Sequence, residues 1–381
     1  MNRLLMHVGP SIGNRDVLLA GARDNIGFAT KDFVQAMGDS LEGLRMVMGV
    51  GGKFQPFILP GSGTSAMESV ASFLHEGDRV LIITNGIFGN RWEGIFSRYR
   101  VKCDVVGAEA GESVTPDMIR EKTEGSHYRM SFMTHVETST GVRAPVDSLL
   151  KELKKVSDLI TVDGVASAGG ELVDAEKRGI DICLTASQKA IGAPPGAGLL
   201  VASEKAMSQL ADDSLAGYSL NLKNWLPIMK GMEEGRGGYF ATPPINTVFS
   251  LQEAFRLIAE ETMAARLERH KMASGMLRAG IRGMGMEVVA GEGIESNTVT
   301  GLRLKNSKQK DVLEKSMKLG VEFGSGVHPG VKPDYIRIGH MGWVQEHHVL
   351  RALSVLERSL KASGESIKAA EGVKAAQEFI T

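Results

Sequence analysis

Two short apolar runs in the middle of the chain, each followed closely by a charged residue, constrain the fold more than any other feature. Residues 159–163 read LITVD, residues 182–186 read ICLTA, and the second run leads into Lys189. Their β-branched residues and low polarity predict strands buried on both faces, as in a parallel sheet. Because such α/β sheets bind ligands at the carboxyl ends of their strands, Asp163 and Lys189 are expected at one binding edge.

This acid and this amine suggest a site for pyridoxal phosphate. The lysine would form the Schiff base with the cofactor, and the acid would pair with the pyridine nitrogen. Each residue also has an ordinary interpretation. A lysine in a loop rich in glycine and proline is usually a solvated charge, and an aspartate at a strand end is often a helix N-cap. The two residues alone leave both interpretations open.

A glycine-rich turn earlier in the chain indicates an anion site. Residues 57–59 predict a strand, and residues 61–66 read GSGTSA and open a helix predicted over residues 67–74. Free N–H groups and the helix dipole favour a phosphate there. The same pattern is a dinucleotide-binding fingerprint, which requires an acid at the end of the following strand. That strand, predicted over residues 79–84, ends in Asn85, so the turn suits one phosphate better than a dinucleotide.

Two further segments carry a resemblance to a known family. Residues 163–170 (DGVASAGG) and residues 187–196 (SQKAIGAPPG) closely resemble the class V aminotransferases, and within them the alanine–glyoxylate and serine–pyruvate aminotransferases. The similarity extends from about Met6 to Ala362. It implies an α/β protein of aminotransferase fold type I. The expected architecture is a mostly parallel seven-stranded sheet with helices on both faces and a smaller α/β C-terminal domain. We expect an N-terminal arm at residues 1–20, a large domain at 21–255 and a small domain at 256–381.

The resemblance also implies which residues hold pyridoxal 5′-phosphate. Lys189 and Asp163 are the expected catalytic residues. The phosphate is expected at the glycine turn and at the side chain beside the lysine, with two further contacts from the other subunit of a homodimer with shared active sites. The ring is expected between an aromatic and an aliphatic side chain, with a hydroxyl bonded to its O3′ atom. The residues expected at the phosphate are Ser62, Gly63, Thr64 and Gln188, and those from the other subunit are Tyr239 and Thr242. Phe88 and Val165 are the side chains expected on the two ring faces, and Thr138 supplies the hydroxyl for O3′.

Substrate contacts are expected from three segments. The resemblance places Gly9, in the N-terminal arm, over the active site, and Gly27 and Phe28 in a loop near the substrate. Arg337 ends a predicted strand, and its planar fork suits the α-carboxylate of an amino acid. The expected substrates are therefore a small amino acid, alanine or serine, and a 2-oxo acid, glyoxylate or pyruvate.

The donor is less constrained than the reaction. A dicarboxylate donor would need a second arginine, and none clearly fits, although Arg45, Arg91 and Arg236 remain candidates. Aspartate and other donors used on this fold are the alternative.

The rest of the chain gives a coarser prediction. Helical spacing predicts a helix over residues 31–48 and one long helix over residues 245–277, and residues 199–202 predict the single antiparallel strand of the main sheet. Residues 218–239 are expected to be rich in loops. Strands of the small domain are expected near residues 286–289, 299–304 and 335–338, and a surface helix over residues 365–379.

Composition excludes several classes of protein. Charged residues make up 23% of the chain and the formal net charge is −1, without a basic block, which argues against nucleic-acid and membrane-surface binding. The two cysteines suggest no disulfide framework and a cytoplasmic protein, and the histidines show no metal-binding spacing. Three rivals remain: a cysteine desulfurase, which would need an exposed cysteine on a mobile loop, a nicotinamide dehydrogenase and a non-catalytic pyridoxal-binding protein.

Overall fold

The computed structural model describes residues 3–210 and 213–380 and shows an α/β protein built on two main sheets, with Val136–Glu137 and Val142–Arg143 pairing as a separate two-stranded sheet. Thirteen strands lie in the described residues: β1 Leu4–Met6, β2 Phe54–Gly61, β3 Arg79–Thr84, β4 Lys102–Gly107, β5 Tyr128–Thr134, β6 Val136–Glu137, β7 Val142–Arg143, β8 Ser157–Asp163, β9 Ile182–Ala186, β10 Gly196–Ser203, β11 Val299–Arg303, β12 Val321–Ser325 and β13 Tyr335–Gly339.

Fourteen α-helices lie in the same residues: α1 Arg15–Gly21, α2 Lys31–Met48, α3 Gly63–Ser69, α4 Ile87–Phe96, α5 Pro116–Thr123, α6 Val146–Val156, α7 Ala175–Arg178, α8 Glu204–Met207, α9 Leu222–Glu233, α10 Ile245–Glu261, α11 Met263–Gly283, α12 Gln309–Lys318, α13 Glu346–Ala362 and α14 Glu371–Glu378. The predicted helix over residues 31–48 is α2.

The larger sheet has seven strands in the order β2-β10-β9-β8-β5-β3-β4. Strand β10 runs antiparallel to both of its neighbours, and the pairs from β9 to β4 are parallel. Helices cover both faces, which is why all five residues of β9 are buried. The expected mostly parallel seven-stranded sheet, with its single antiparallel strand, is confirmed within the described part of the chain.

The smaller sheet has four strands in the order β1-β12-β13-β11. The expected strand near residues 286–289 is wrong: Val288 makes only an isolated bridge with Leu302. Two strands of this sheet, β1 and β12, were not among the predicted strands of the small domain. They pair in parallel with each other, although most of the chain separates them in sequence. A three-residue strand such as β1 has too short a pattern to be recognised in sequence.

Two helix predictions need correction. The expected loop-rich stretch at 218–239 contains the twelve-residue helix α9, whose buried Leu222, Trp225, Met229 and Met232 recur at helical spacing. The expected long helix over residues 245–277 is two helices that meet at Thr262. There φ is +69°, and the hydroxyl accepts the Ala265 N–H at 3.2 Å to begin α11.

The hydrophobic residues form two main cores. One extends from Val17 to Ile258 around the larger sheet, and the other joins Leu4 and Met6 to residues 273–376 around the smaller sheet. We propose the expected division into an arm at 1–20, a large domain at 21–255 and a small domain at 256–381. The break at Thr262 supports a boundary in this region. The C-terminal helix α14 is shorter than expected and packs on α11.

No helix in the described ranges is long and apolar enough to cross a membrane.

Candidate active site

The carboxyl ends of β8 and β9 bring Asp163 and Lys189 to one cavity. The strands are parallel neighbours, with Asp163 opposite Leu184, so both strands end at the same edge of the sheet. The cavity has a volume of about 230 Å³. Its wall contains the predicted Ser62, Gly63, Thr64, Phe88, Thr138, Asp163, Val165, Gln188 and Lys189, together with Met67, Arg91, Val136 and Ala166.

Asp163 is a buried carboxylate held in a fixed orientation. Its Oδ1 accepts the N–H of Val165 at 2.8 Å, and its Oδ2 accepts the hydroxyl of Thr134 at 3.4 Å. Burial raises the pKa of Asp163 to about 6, partly opposed by the Val165 hydrogen bond. Among the described residues no cation contacts this carboxylate directly, so it can pair with a cationic group that enters the cavity.

Lys189 lies in a loop that the N-terminal arm holds in place. Its ammonium donates to the carbonyl of Val8 at 2.6 Å. The hydroxyl of Ser11 donates to the carbonyl of Lys189 at 2.6 Å, and the N–H of Ser11 donates to the carbonyl of Gln188 at 3.0 Å. Burial, and then the charge of Arg337, lower the pKa of Lys189 to about 8. About a tenth of the amine is thus uncharged at pH 7, and this fraction, which grows as pH rises, can act as a nucleophile or base.

Gly9 lies directly against Lys189. A Cβ atom at this position would lie 2.4 Å from Lys189 Nζ, and φ is +125°. Only glycine lets the arm pass so close to the amine. Any larger residue at position 9 would displace the lysine side chain.

The glycine turn lies against the base of the cavity. Ser62 precedes α3 and donates its N–H to the hydroxyl of Ser65 at 3.1 Å. A Cβ atom on Gly63 would lie 2.8 Å from a methyl group of Val165. Only glycine at position 63 therefore lets the start of α3 pack this closely on Val165. Thr64 accepts a hydrogen bond from Arg91 Nη1 at 2.8 Å. Helix start, hydroxyls and guanidinium together form a cationic, donor-rich end of the cavity.

Glu137 is a buried acid to which the sequence analysis gave no role. Its carboxylate accepts the N–H groups of Phe88 and Gly89, at 3.3 and 3.0 Å, at the start of α4. It also accepts the N–H and the hydroxyl of Ser139, at 2.9 and 2.6 Å. These bonds fix Phe88 and the Thr138 loop relative to each other. An acid at a strand end, beside serine and threonine, was the sequence signal that could have found it.

Arg337 lies beside the cavity and is not part of its wall. Its Nε donates to the carbonyl of Ser325 at 2.7 Å, and its Nη1 donates to the carbonyl of Thr138 at 3.2 Å. The side chain is buried, and among the described residues it has no ion pair with a carboxylate. Burial lowers the pKa of the Arg337 guanidinium.

Four predicted site residues lie away from this cavity. Phe28 and Tyr239 stack on each other with ring centroids 4.8 Å apart, and 59% of Tyr239 is exposed. Gly27 and Thr242 are exposed in the adjacent loops. The chain's own fold therefore does not bring these four residues to Lys189.

Comparison with known proteins identifies the family. The model of the family "Aminotransferase class-V" matches residues 49–352. The chain belongs to the class V aminotransferases. The enzyme is a pyridoxal phosphate-dependent transaminase of fold type I, as the resemblance implied.

Relatives resemble this aminotransferase over nearly their whole length. An uncharacterized aminotransferase of Methanocaldococcus jannaschii is 34% identical, and the alignment covers 100% of this chain and 98% of the relative. Alanine–glyoxylate aminotransferase 1 of Saccharomyces cerevisiae is 34% identical over 89% of this chain and 91% of its own. The crystal structure of ureidoglycine–glyoxylate aminotransferase from Bacillus subtilis superposes with a TM-score of 0.91 at 25% identity, covering 100% and 98% of the two chains.

The cavity of this aminotransferase fits its cofactor. The Arg91–Thr64 end offers donors to a phosphate, and Asp163 offers a carboxylate to a ring nitrogen. Gln188 Oε1 is buried without a hydrogen-bond partner among the described residues. Turning its amide by 180° presents N–H donors to the cavity instead. No group of histidine, cysteine or acidic side chains in the described ranges could hold a metal ion.

Proposed function

We propose that this enzyme transfers the amino group of L-alanine or L-serine to glyoxylate or pyruvate. The observation that carries the proposal is the buried guanidinium of Arg337, which lies beside a cavity of only about 230 Å³. Cavities for drug-sized ligands measure about 300–1,000 Å³. A site of this size, which must also hold the cofactor, favours substrates with small side chains. The glyoxylate named for two of the similar enzymes supports the choice of acceptor.

The roles proposed for the chain's residues follow from their positions. Bound pyridoxal phosphate supplies an electron sink that stabilises negative charge at the substrate Cα. Asp163, as a carboxylate, holds a proton on the pyridine nitrogen. Lys189 Nζ would act as the general base that takes the proton from the substrate Cα, and the resulting ammonium would then serve as a general acid. Arg337 orients the substrate through its α-carboxylate.

The remaining residues hold the cofactor. Ser62, Gly63, Thr64 and Gln188 would bind the phosphate, Phe88 and Val165 would contact the ring, and Thr138 would hydrogen-bond the O3′ atom. Their presence in one cavity wall supports these assignments. Glu137 keeps the Phe88 helix and the Thr138 loop in register through its four hydrogen bonds.

The arginines support a small donor, with one exception. Arg45 is engaged by Glu42 and Glu233, and Arg236 is an exposed side chain paired with Glu234, so neither faces the cavity. Arg91 does line the cavity, and no carboxylate ion pair to it is found among the described residues. This observation favours aspartate as the second candidate donor.

A panel of donors and acceptors separates these candidates. Alanine, serine and aspartate are each offered with glyoxylate and with pyruvate, and the keto-acid product is quantified. We expect the highest kcat/KM with alanine or serine. Preference for aspartate, lost in Arg91→Gln, would replace the small-donor assignment. Cofactor absorbance that no donor changes would indicate a non-catalytic pyridoxal-binding protein.

We also propose a homodimer with shared active sites. Tyr239 is exposed and stacks on the half-buried Phe28, with the exposed Gly27 and Thr242 in the adjacent loops, which supports a surface that a second copy covers. In the dimer, Tyr239 and Thr242 reach the phosphate in the partner subunit, and the Gly27–Phe28 loop lies near the partner's substrate. Size measured by light scattering tests the assembly, since a fully active monomer is incompatible with it.

A cytoplasmic location remains our proposal. Neither Cys103 nor Cys183 forms a disulfide, as expected in a reducing compartment. Both are ill-suited to act as desulfurase nucleophiles: Cys183 is buried, and burial raises the pKa of Cys103 to about 11. Subcellular fractionation would test the location.

A further inference from the structure

Arg266 in α11 is a completely buried arginine that lies outside the cavity wall. Its relative exposure is 0%, and it is among the largest fully buried side chains of the described residues. Nη1 pairs with Glu261 Oε2 at 2.9 Å. The other donors serve backbone carbonyls: Nε donates to Gly169 at 2.9 Å, and Nη2 donates to Ala190 at 2.7 Å and to Gly342 at 3.2 Å. One rigid planar group therefore joins three separate loops.

Each of these three loops follows a strand that carries a proposed reactive or binding residue. Gly169 lies in the loop after β8, which ends in Asp163. Ala190 is the residue directly after Lys189, in the loop after β9. Gly342 lies in the loop after β13, the strand of Arg337. We call the bonds from Arg266 to these carbonyls the three-loop contact.

Trp343 reinforces the three-loop contact. The guanidinium carbon of Arg266 lies 4.6 Å from the centre of the Trp343 ring, within the range of a cation–π interaction. The indole N–H donates to the carbonyl of Gly192 at 3.0 Å. Gly192 belongs to the same loop as Lys189, and a Cβ atom there would lie 2.5 Å from the indole nitrogen. The lysine loop is thus held to α11 and to the 342–343 segment at two points.

We propose that Arg266 is a positioning residue for transamination, because the three-loop contact sets the spacing of Lys189, Asp163 and Arg337. The inference rests on the roles proposed above for those residues. Arg266 acts through the backbone and does not touch substrate or cofactor. Its importance comes from geometry, since a misplacement of about 1 Å at a reacting group can cost about 100-fold in rate.

Arg266→Met tests the three-loop contact, because methionine fills much of the space and donates no hydrogen bond. The readouts are kcat and KM for the best donor, the affinity for pyridoxal phosphate, and the pH midpoint of the visible absorbance of the bound cofactor. We expect kcat to fall by about 10- to 100-fold, with KM changing less, and the absorbance midpoint to shift as Lys189 moves relative to Asp163. Arg266→Lys should recover part of the loss, since an ammonium cannot reach all three carbonyls.

Arg269→Met is the matched control. Arg269 shares Glu261 with Arg266, at 2.5 Å, and donates to Gly342 at 3.3 Å and to Val344 at 2.6 Å. No hydrogen bond joins Arg269 to Gly169 or to Ala190. Replacing Arg269 removes an ion pair and contacts in the small domain. The bonds from Arg266 to the Lys189 and Asp163 loops remain. We expect a loss of stability to urea with an unchanged absorbance midpoint and nearly unchanged kcat.

The outcomes separate positioning from simple support of the fold. Equal effects of Arg266→Met and Arg269→Met on kcat and on the absorbance midpoint would overturn the proposal. If Arg266→Met does not fold, Arg266→Lys and Trp343→Phe decide. Trp343→Phe removes the Gly192 hydrogen bond but keeps an aromatic ring beside Arg266, so the midpoint should shift in the same direction by a smaller amount. An unshifted midpoint in both Arg266→Lys and Trp343→Phe overturns the proposal. The absorbance titration needs no amino donor, so it stays informative even if alanine and serine prove to be poor substrates.

Discussion

Replacing Arg337 by alanine should remove the binding of the substrate carboxylate while leaving the cofactor in place. The guanidinium is 6% exposed, two of its N–H groups are held by the carbonyls of Ser325 and Thr138, and the described residues offer it no carboxylate. A substrate carboxylate in this position would form a buried ion pair, and loss of one partner of such a pair costs about 3–5 kcal/mol. At about 1.4 kcal/mol per factor of ten, kcat/KM for alanine should fall by about 100- to 4,000-fold.

The assay compares kcat/KM for alanine, for serine and for a simple alkylamine on the native enzyme and on Arg337→Ala. The alkylamine should lose little, because it has no carboxylate. Arg337→Lys should recover only part of the loss, because an ammonium lacks the planar fork. Arg303→Ala is the control: Arg303 lies on the adjacent strand β11 and donates to the Lys332 carbonyl at the exposed end of the sheet. Equal losses for all three amines would show that Arg337 supports the fold and does not bind the substrate carboxylate.

Four further predictions concern the cofactor site and its sharing between subunits. Asp163→Asn should keep pyridoxal phosphate bound but slow proton abstraction from Cα, and near-normal turnover would reduce Asp163 to a structural acid. In the cofactor-free enzyme, the folded-state pKa of about 6 for Asp163 lies above its usual 3.8, so the native state binds more protons than the unfolded state between these values. Stability should therefore fall as pH rises from about 4 to 6. Above pH 6, the free energy of unfolding of Asp163→Asn in urea should exceed that of the native protein by up to about 3 kcal/mol, and near pH 4 the two should be equal. A difference that does not change with pH would contradict a raised pKa of Asp163 as its cause. The rate at which cofactor-free enzyme binds pyridoxal phosphate should rise with pH around 8, where Lys189 loses its proton, and a flat stopped-flow profile argues against this amine as the nucleophile. Mixing Lys189→Ala with Tyr239→Ala subunits should restore part of the activity if sites are shared, whereas no restoration in mixed dimers argues against sharing.

The centre of the fold was predictable because its sequence pattern and its burial agree. Strand β9 has the predicted bounds, and β8 begins two residues earlier than predicted but ends at Asp163 as expected. Both strands are covered on two faces, so unbroken apolar runs are the only pattern that suits them. The positions of Asp163 and Lys189 followed from the direction of parallel strands.

The parts that were missed depend on contacts distant in sequence. Strand β1 is defined by pairing with β12, more than 300 residues away, which no local pattern encodes. The break at Thr262 falls between two helical patterns in register, where the only local signal is one capping threonine. Glu137 and Arg266 act through backbone groups of other segments, and such partners have no side-chain signature in the sequence.

Covalent trapping shows which lysine carries pyridoxal phosphate, and we expect this residue to be Lys189. The holoenzyme is reduced with borohydride and digested, and the pyridoxyl group is located by peptide mass mapping. We expect the label on Lys189, the buried amine in the loop after β9 whose pKa is lowered to about 8. A label on an exposed lysine such as Lys205, with Lys189 unmodified, would contradict the site described above.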